Sequence, residues 1–104
     1  MDYEINIELQ AFDDLKLFLE NADYEPPAVR HVQKIFRQTQ LLSRFPKTGS
    51  KIFAQSKQVT ARKKWAHPFW IIYTIDEKKS FIQIIEYRHH AKHLGRSLFS
   101  DPSG

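Results

Sequence analysis

The chain contains no cysteine. Disulfides, thiolate nucleophiles and cysteine-bearing zinc sites are therefore excluded. Long apolar runs are missing too. The longest, Phe69 to Tyr73, is far shorter than the roughly 20 residues a membrane-spanning helix needs. The opening Met1-Asp2-Tyr3-Glu4 lacks the basic and apolar regions of a secretory signal. No internal repeat or low-complexity segment interrupts the chain. These absences lead us to expect a cytoplasmic protein that does not touch a membrane.

What is present describes an ordinary globular domain. There are 104 residues, 41% hydrophobic and 27% charged, with 8 Phe, 4 Tyr and 2 Trp. That length suits one domain with one modest, aromatic-rich core. Residues 1–96 are expected to form it, and 97–104, small, polar and proline-containing, to form a flexible tail. Lys and Arg number 16 against 12 Asp and Glu, giving +4 and a pI near 9.4. Such an excess suits a polyanion or an acidic protein segment, although it also serves plain solubility.

Periodicity outlines the elements. Tyr3, Ile5, Ile7 and Leu9 alternate with polar residues, as in a strand with one buried face. From Ala11 to about Ala22 the spacing of Phe12, Leu15 and Leu19 is helical, with Asp13 and Asp14 placed in the first turn. A second helix is expected from Pro27 to about Ser43, striped by Val29, Val32, Ile35, Phe36 and Thr39. The two helices should pack as an antiparallel hairpin. Phe45-Pro46-Lys47-Thr48-Gly49 breaks the pattern. Strands then follow at Lys51–Gln55, Gln58–Trp65, Phe69–Ile75 and Phe81–Tyr87, the last two joined by a polar turn at 76–79. The expected class is α+β: an N-terminal strand, a helical hairpin, then a three- to four-stranded antiparallel sheet.

Four stretches of this sequence resemble the RelE/ParE superfamily of type II toxins. They are the acidic helix start Ala11-Phe12-Asp13-Asp14-Leu15, the helix exit Leu42 to Gly49, Arg62 with the strand Phe69 to Asp76, and Ile84 to Lys92 with its basic and histidine cluster. The resemblance spans about Tyr3 to Leu94 and lies in the ordered combination of pieces. It implies a growth-blocking toxin neutralised by an acidic antitoxin. One branch of the superfamily cuts mRNA in the ribosomal A site, and the other poisons DNA gyrase. Fold alone does not choose between them.

RNA cleavage without a metal needs a base for the 2′-OH, an acid for the leaving oxygen, and cations for the charged transition state. Arginine suits phosphate, and histidine suits proton transfer near neutral pH. The catalytic candidates are Arg62, Lys64, Arg88, His89 and His90. Arg62 and Lys64 share one strand face while Lys63 and Trp65 share the other. If the strand ends meet, Arg62, Lys64, Arg88 and a histidine line one anionic groove. By analogy with the family, Arg62 and Arg88 hold the phosphate and His89 or His90 moves the proton. Lys63, Trp65 and Lys92 are candidate RNA contacts, and Phe69, Trp70 and Tyr73 could also stack on bases. Arg30, Lys34 and Arg37 on the second helix are candidate antitoxin contacts, although an exposed helix face carries such charges anyway.

His89 and His93 stand four apart, but no HExxH context surrounds them, so neither a metal nor any other cofactor is expected. Leu94 to Gly104 lacks the C-terminal Tyr or His common among the family's nucleases, so acid–base work falls to His89, His90 or His93, or is absent. No glutamate marks the second strand as a general base. Three functions follow in order: a ribosome-dependent mRNA endonuclease, a gyrase inhibitor without chemistry of its own, and a non-toxic RNA- or protein-binding module on the same fold.

Overall fold

A computed structural model of the chain describes residues 2–91. Lys92, His93 and the 97–104 tail lie outside the described residues. The order is β1 (Glu4–Ile7), α1 (Leu9–Asn21), α2 (Pro26–Leu41), a 3-10 turn (Pro46–Thr48), β2 (Ser50–Ala54), β3 (Val59–Ala66), β4 (Phe69–Asp76) and β5 (Phe81–His89). No helix among the described residues is long and apolar enough to cross a membrane.

The strands form one five-stranded sheet, ordered β1-β5-β4-β3-β2. Strands β2 to β5 are antiparallel neighbours, as their short connections require. The first strand adds a fifth member, parallel to β5, with Ile5 opposite Ile82 and Ile7 opposite Ile84. The sheet is therefore mixed and one strand wider than the sequence pattern suggested. That pairing joins residues more than 70 positions apart, beyond the reach of local periodicity.

Alternation gives the sheet two distinct faces. Ala66, Phe69, Ile71, Tyr73, Ile75, Ile82, Ile84 and Tyr87 form the core with Ala11 and Leu15 of α1 and Val32 and Ile35 of α2. The helices pack on this face as an antiparallel pair. Phe12 early in α1 meets Phe36 late in α2, with ring centres 6.1 Å apart. Phe18 late in α1 approaches His31 early in α2, at 6.4 Å.

Helix α1 begins at Leu9, two residues before the expected start. Glu8 is extended, and its carbonyl accepts the N–H groups of Ala11 and Phe12. Asp13 and Asp14 consequently fall beyond the first turn. Asp14 serves a different purpose: its Oδ2 accepts the Tyr87 N–H at 3.1 Å. This occupies the edge of β5 beyond the point where β1 ends. Helix α2 runs from Pro26 to Leu41, starting one residue and ending two residues earlier than expected, and buries Ala28 in place of Val29.

Candidate nucleic-acid interface

The register decides which candidates meet. Arg62 pairs with Tyr73 and Lys64 with Ile71, on the helix-covered face. Arg62 Nη1 donates to the Gly49 carbonyl at 2.6 Å and approaches that of Lys47 at 3.4 Å. Lys64 Nζ donates to Thr48 Oγ1 at 3.1 Å. Tyr73 completes the fixture, donating to the Pro46 carbonyl at 2.7 Å and accepting the Gly49 N–H at 3.1 Å. Arg62 and Lys64 thus hold the 47–49 turn against the sheet.

Arg88 lies on the opposite face. A bulge in β5, where Ile72 faces Glu86 but Tyr73 faces Ile84, inserts Ile85 and reverses the alternation. Glu86 and Arg88 therefore leave the helix side, while Tyr87 and His89 face it. The groove expected to join Arg62, Lys64, Arg88 and a histidine is not assembled, because the sheet stands between Arg88 and the other two cations. His89 packs against Phe18 and Phe69, with ring centres 5.5 and 5.4 Å away. Its Nδ1 accepts the Ala91 N–H at 3.1 Å.

The face away from the helices gathers a different set. Trp65 pairs with Trp70, and Trp70 with Arg88. The two indoles are 5.0 Å apart, and Trp65 is 43% exposed. Lys63 Nζ stands 4.8 Å from the centre of the Trp70 ring, a cation–π geometry. Arg88 forms an ion pair with Glu86, and both are buried.

Imidazoles crowd the same end of the sheet. His67, in the β3–β4 turn, is 5.8 Å from Trp65, 5.5 Å from His31 and 6.1 Å from His90, on which it stacks. His90 is 4.6 Å from His89 and donates its N–H to the Pro68 carbonyl. His67 and His90 are exposed. Burial, then the nearby His67, Lys34 and Arg30, push the His31 pKa below its ordinary value. Among the described residues, no group of three or more His, Cys, Asp or Glu side chains could hold a metal ion.

Sequence reasoning singled out His90, Lys63 and Trp65, which the fold brings to one region. It missed His31 and Glu86. The apolar-looking His31 position on α2 carries no local signal, because its neighbours come from a turn far along the chain. Arg30, Lys34 and Arg37 are exposed along α2. Arg37 also borders a groove of about 600 Å³ with Tyr3, Ile5, Leu41 and Arg44.

No protein-family model matches the sequence, and no curated protein matches it significantly. Solved structures do. A chain of the archaeal RelE–RelB complex from Pyrococcus horikoshii superposes with a TM-score of 0.67, covering 89% of this chain and 100% of that one at 16% identity. The chain has the RelE/ParE fold. A chain of the RelBE2 toxin–antitoxin complex from Mycobacterium tuberculosis gives 0.59, covering 88% and 95% at 18% identity. A chain of the chromosomal ParDE system from P. aeruginosa gives 0.58, covering 84% and 95% at 20% identity. Within the RelE/ParE fold, Lys63, His67, His89 and His90 belong to the sheet and its turns, and His31 joins them from α2.

Proposed function

We propose that this chain is the toxin of a type II toxin–antitoxin pair and that it acts as a metal-independent, ribosome-dependent mRNA endonuclease. Its fold is that of chains in three toxin–antitoxin complexes. The observation that carries the RNA-directed reading is the Lys63 ammonium over Trp70, beside half-exposed Trp65, with His67 and His90 at the same end of the sheet. Indoles stack on unpaired bases whatever their identity, and a cation beside them attracts the phosphate chain.

Two stacked, exposed imidazoles supply the pair of proton carriers that 2′-OH attack requires. One takes the hydroxyl proton, and the other protonates the departing 5′ oxygen. Lys63 stabilises the charge that grows on the phosphorus oxygens. In this reading Arg62 and Lys64 support the fold around the turn, and His89 supports the packing of α1. The partner is an acidic segment that orders on binding. Arg30, Lys34 and Arg37, with the apolar groove beside β1, form a surface of matching charge.

A second reading has its own support. Arg62, Lys64 and Arg88 are all engaged within the protein, as suits a trap that holds DNA gyrase without chemistry. Induced expression in bacteria, with pulse labelling of protein and DNA synthesis, separates the two. The nuclease stops protein synthesis first and leaves cut mRNA. A stop in DNA synthesis with filamentous cells rejects it in favour of gyrase.

A further inference from the structure

The face that carries Lys63 and Trp65 also holds an ion pair with unused polar atoms. Glu86 and Arg88 stand opposite Ile72 and Trp70 of β4. Arg88 Nη2 pairs with Glu86 Oε2, and the two side chains are only 9% and 8% exposed. The second carboxylate oxygen, Glu86 Oε1, and the inner guanidinium nitrogen, Arg88 Nε, are buried without a hydrogen-bond partner among the described residues. A buried, unmatched polar atom is destabilising, and folded proteins seldom keep one without a use. Here one acceptor and one donor remain on the same pair, one strand across from Trp70.

We infer that Glu86 and Arg88 read the Watson–Crick edge of a keto nucleobase, guanine or uracil, in single-stranded RNA stacked on Trp65 or Trp70. The inference rests on the RNA-directed reading above and names the base that reading leaves open. Guanine presents O6 beside N1–H, and uracil presents O4 beside N3–H. The two side chains are buried in the free chain and turn toward the open face as the base enters; Arg88 Nε then donates to that carbonyl, and Glu86 Oε1 accepts from that N–H. Adenine and cytosine present an amino donor beside a ring-nitrogen acceptor. Held in the same orientation by its sugar, either one sets donor against donor and acceptor against acceptor. Burial makes the mismatch expensive, since water does not satisfy the groups left over.

The test is fluorescence anisotropy of the full chain with labelled adenosine hexaribonucleotides in which one central base is varied. Guanosine or uridine at that position binds about tenfold or more tightly than adenosine or cytidine, the discrimination expected of a matched pair of base contacts. Preference for guanosine over uridine, or the reverse, identifies the member of the class. Central N1-methylguanosine or N3-methyluridine, which lack the N–H, bind no better than adenosine, and this arm needs no change to the protein. Glu86→Gln brings the keto-to-amino ratio toward one. That change leaves Arg88 without its charge partner, so the double variant Glu86→Leu/Arg88→Met, which replaces both groups at similar volume, provides the folded control. It too binds the four hexamers with a ratio near one.

Equal binding of all four hexamers by the native protein overturns the inference and leaves the RNA-directed reading in place. So does a preference for adenosine or cytidine, or an undiminished keto preference in the folded double variant. Failure of the folded native protein to bind any hexamer overturns the inference, and the ribosome-dependent reading then stands or falls on the labelling experiment.

Discussion

At the scale of residues, the chemistry was legible as a set of types and not as an arrangement. Arg62, Lys64 and Arg88 read as three equivalent cations in the sequence. In the fold two of them grip a turn and the third grips a glutamate. What distinguishes them is the partner each finds across the sheet. Gly49 shows how tightly that turn is held. A Cβ at this position would lie 2.5 Å from the Tyr73 hydroxyl and 2.7 Å from the Lys63 carbonyl. Gly49→Ala should cost about 1–3 kcal/mol through overpacking, measured by urea unfolding. A loss within error would mean that the turn yields easily. Tyr87 gives a pH signature. Its hydroxyl lies 2.8 Å from Thr39 Oγ1, and burial pushes its pKa up to about 12. The unfolded chain ionises this phenol near pH 10, and the folded chain resists until about 12. The stability linked to Tyr87 is therefore complete below about pH 10 and is lost as pH rises through 12. Tyr87→Phe should flatten the fall in unfolding midpoint across that window. Parallel slopes for the two proteins would show that the phenol does not contribute.

At the scale of elements, the strong periodic segments were readable, and the features that place the site were not. Strands β4 and β5 stand out as runs of β-branched and aromatic residues. The bulge at Ile85 leaves no mark in that run. Yet it sends Arg88 and His89 to the faces they occupy, and without it Arg88 would share a face with Arg62 and Lys64. The parallel β1–β5 pairing was hidden for a different reason, since its partners lie more than 70 positions apart in the chain. Helix α1 shows a first-turn acid reassigned. Asp13 and Asp14 resemble a helix start, but the chain enters the helix earlier, and Asp14 instead secures the edge of β5 that β1 leaves unpaired. Asp14→Ala should lower stability by about 1–2 kcal/mol and speed hydrogen exchange at the Tyr87 amide. Unchanged exchange at that amide would show that the edge is protected by other means.

At the scale of the molecule, the two faces of the sheet divide the work. The helix-covered face holds the core and clamps the 46–49 turn. The other face brings together Lys63, Trp65, Trp70 and the Glu86–Arg88 pair, with the exposed imidazoles of His67 and His90 at its end. The overall class was visible in the order of elements, and the likeness to chains of three toxin–antitoxin complexes agrees with it. The division between faces was not visible, because it depends on register. We propose that the open face acts on RNA. Primer-extension mapping of cellular mRNA after induction tests it most directly, comparing the native chain with a Lys63→Ala/Trp65→Ala variant shown to be folded. Discrete cuts in translated mRNA are expected with the native chain and at least a tenfold loss of cutting with the variant, the order of effect that follows when stacking and charge stabilisation are removed. Equal cutting by both proteins, or intact mRNA in cells arrested by the native chain, would contradict it.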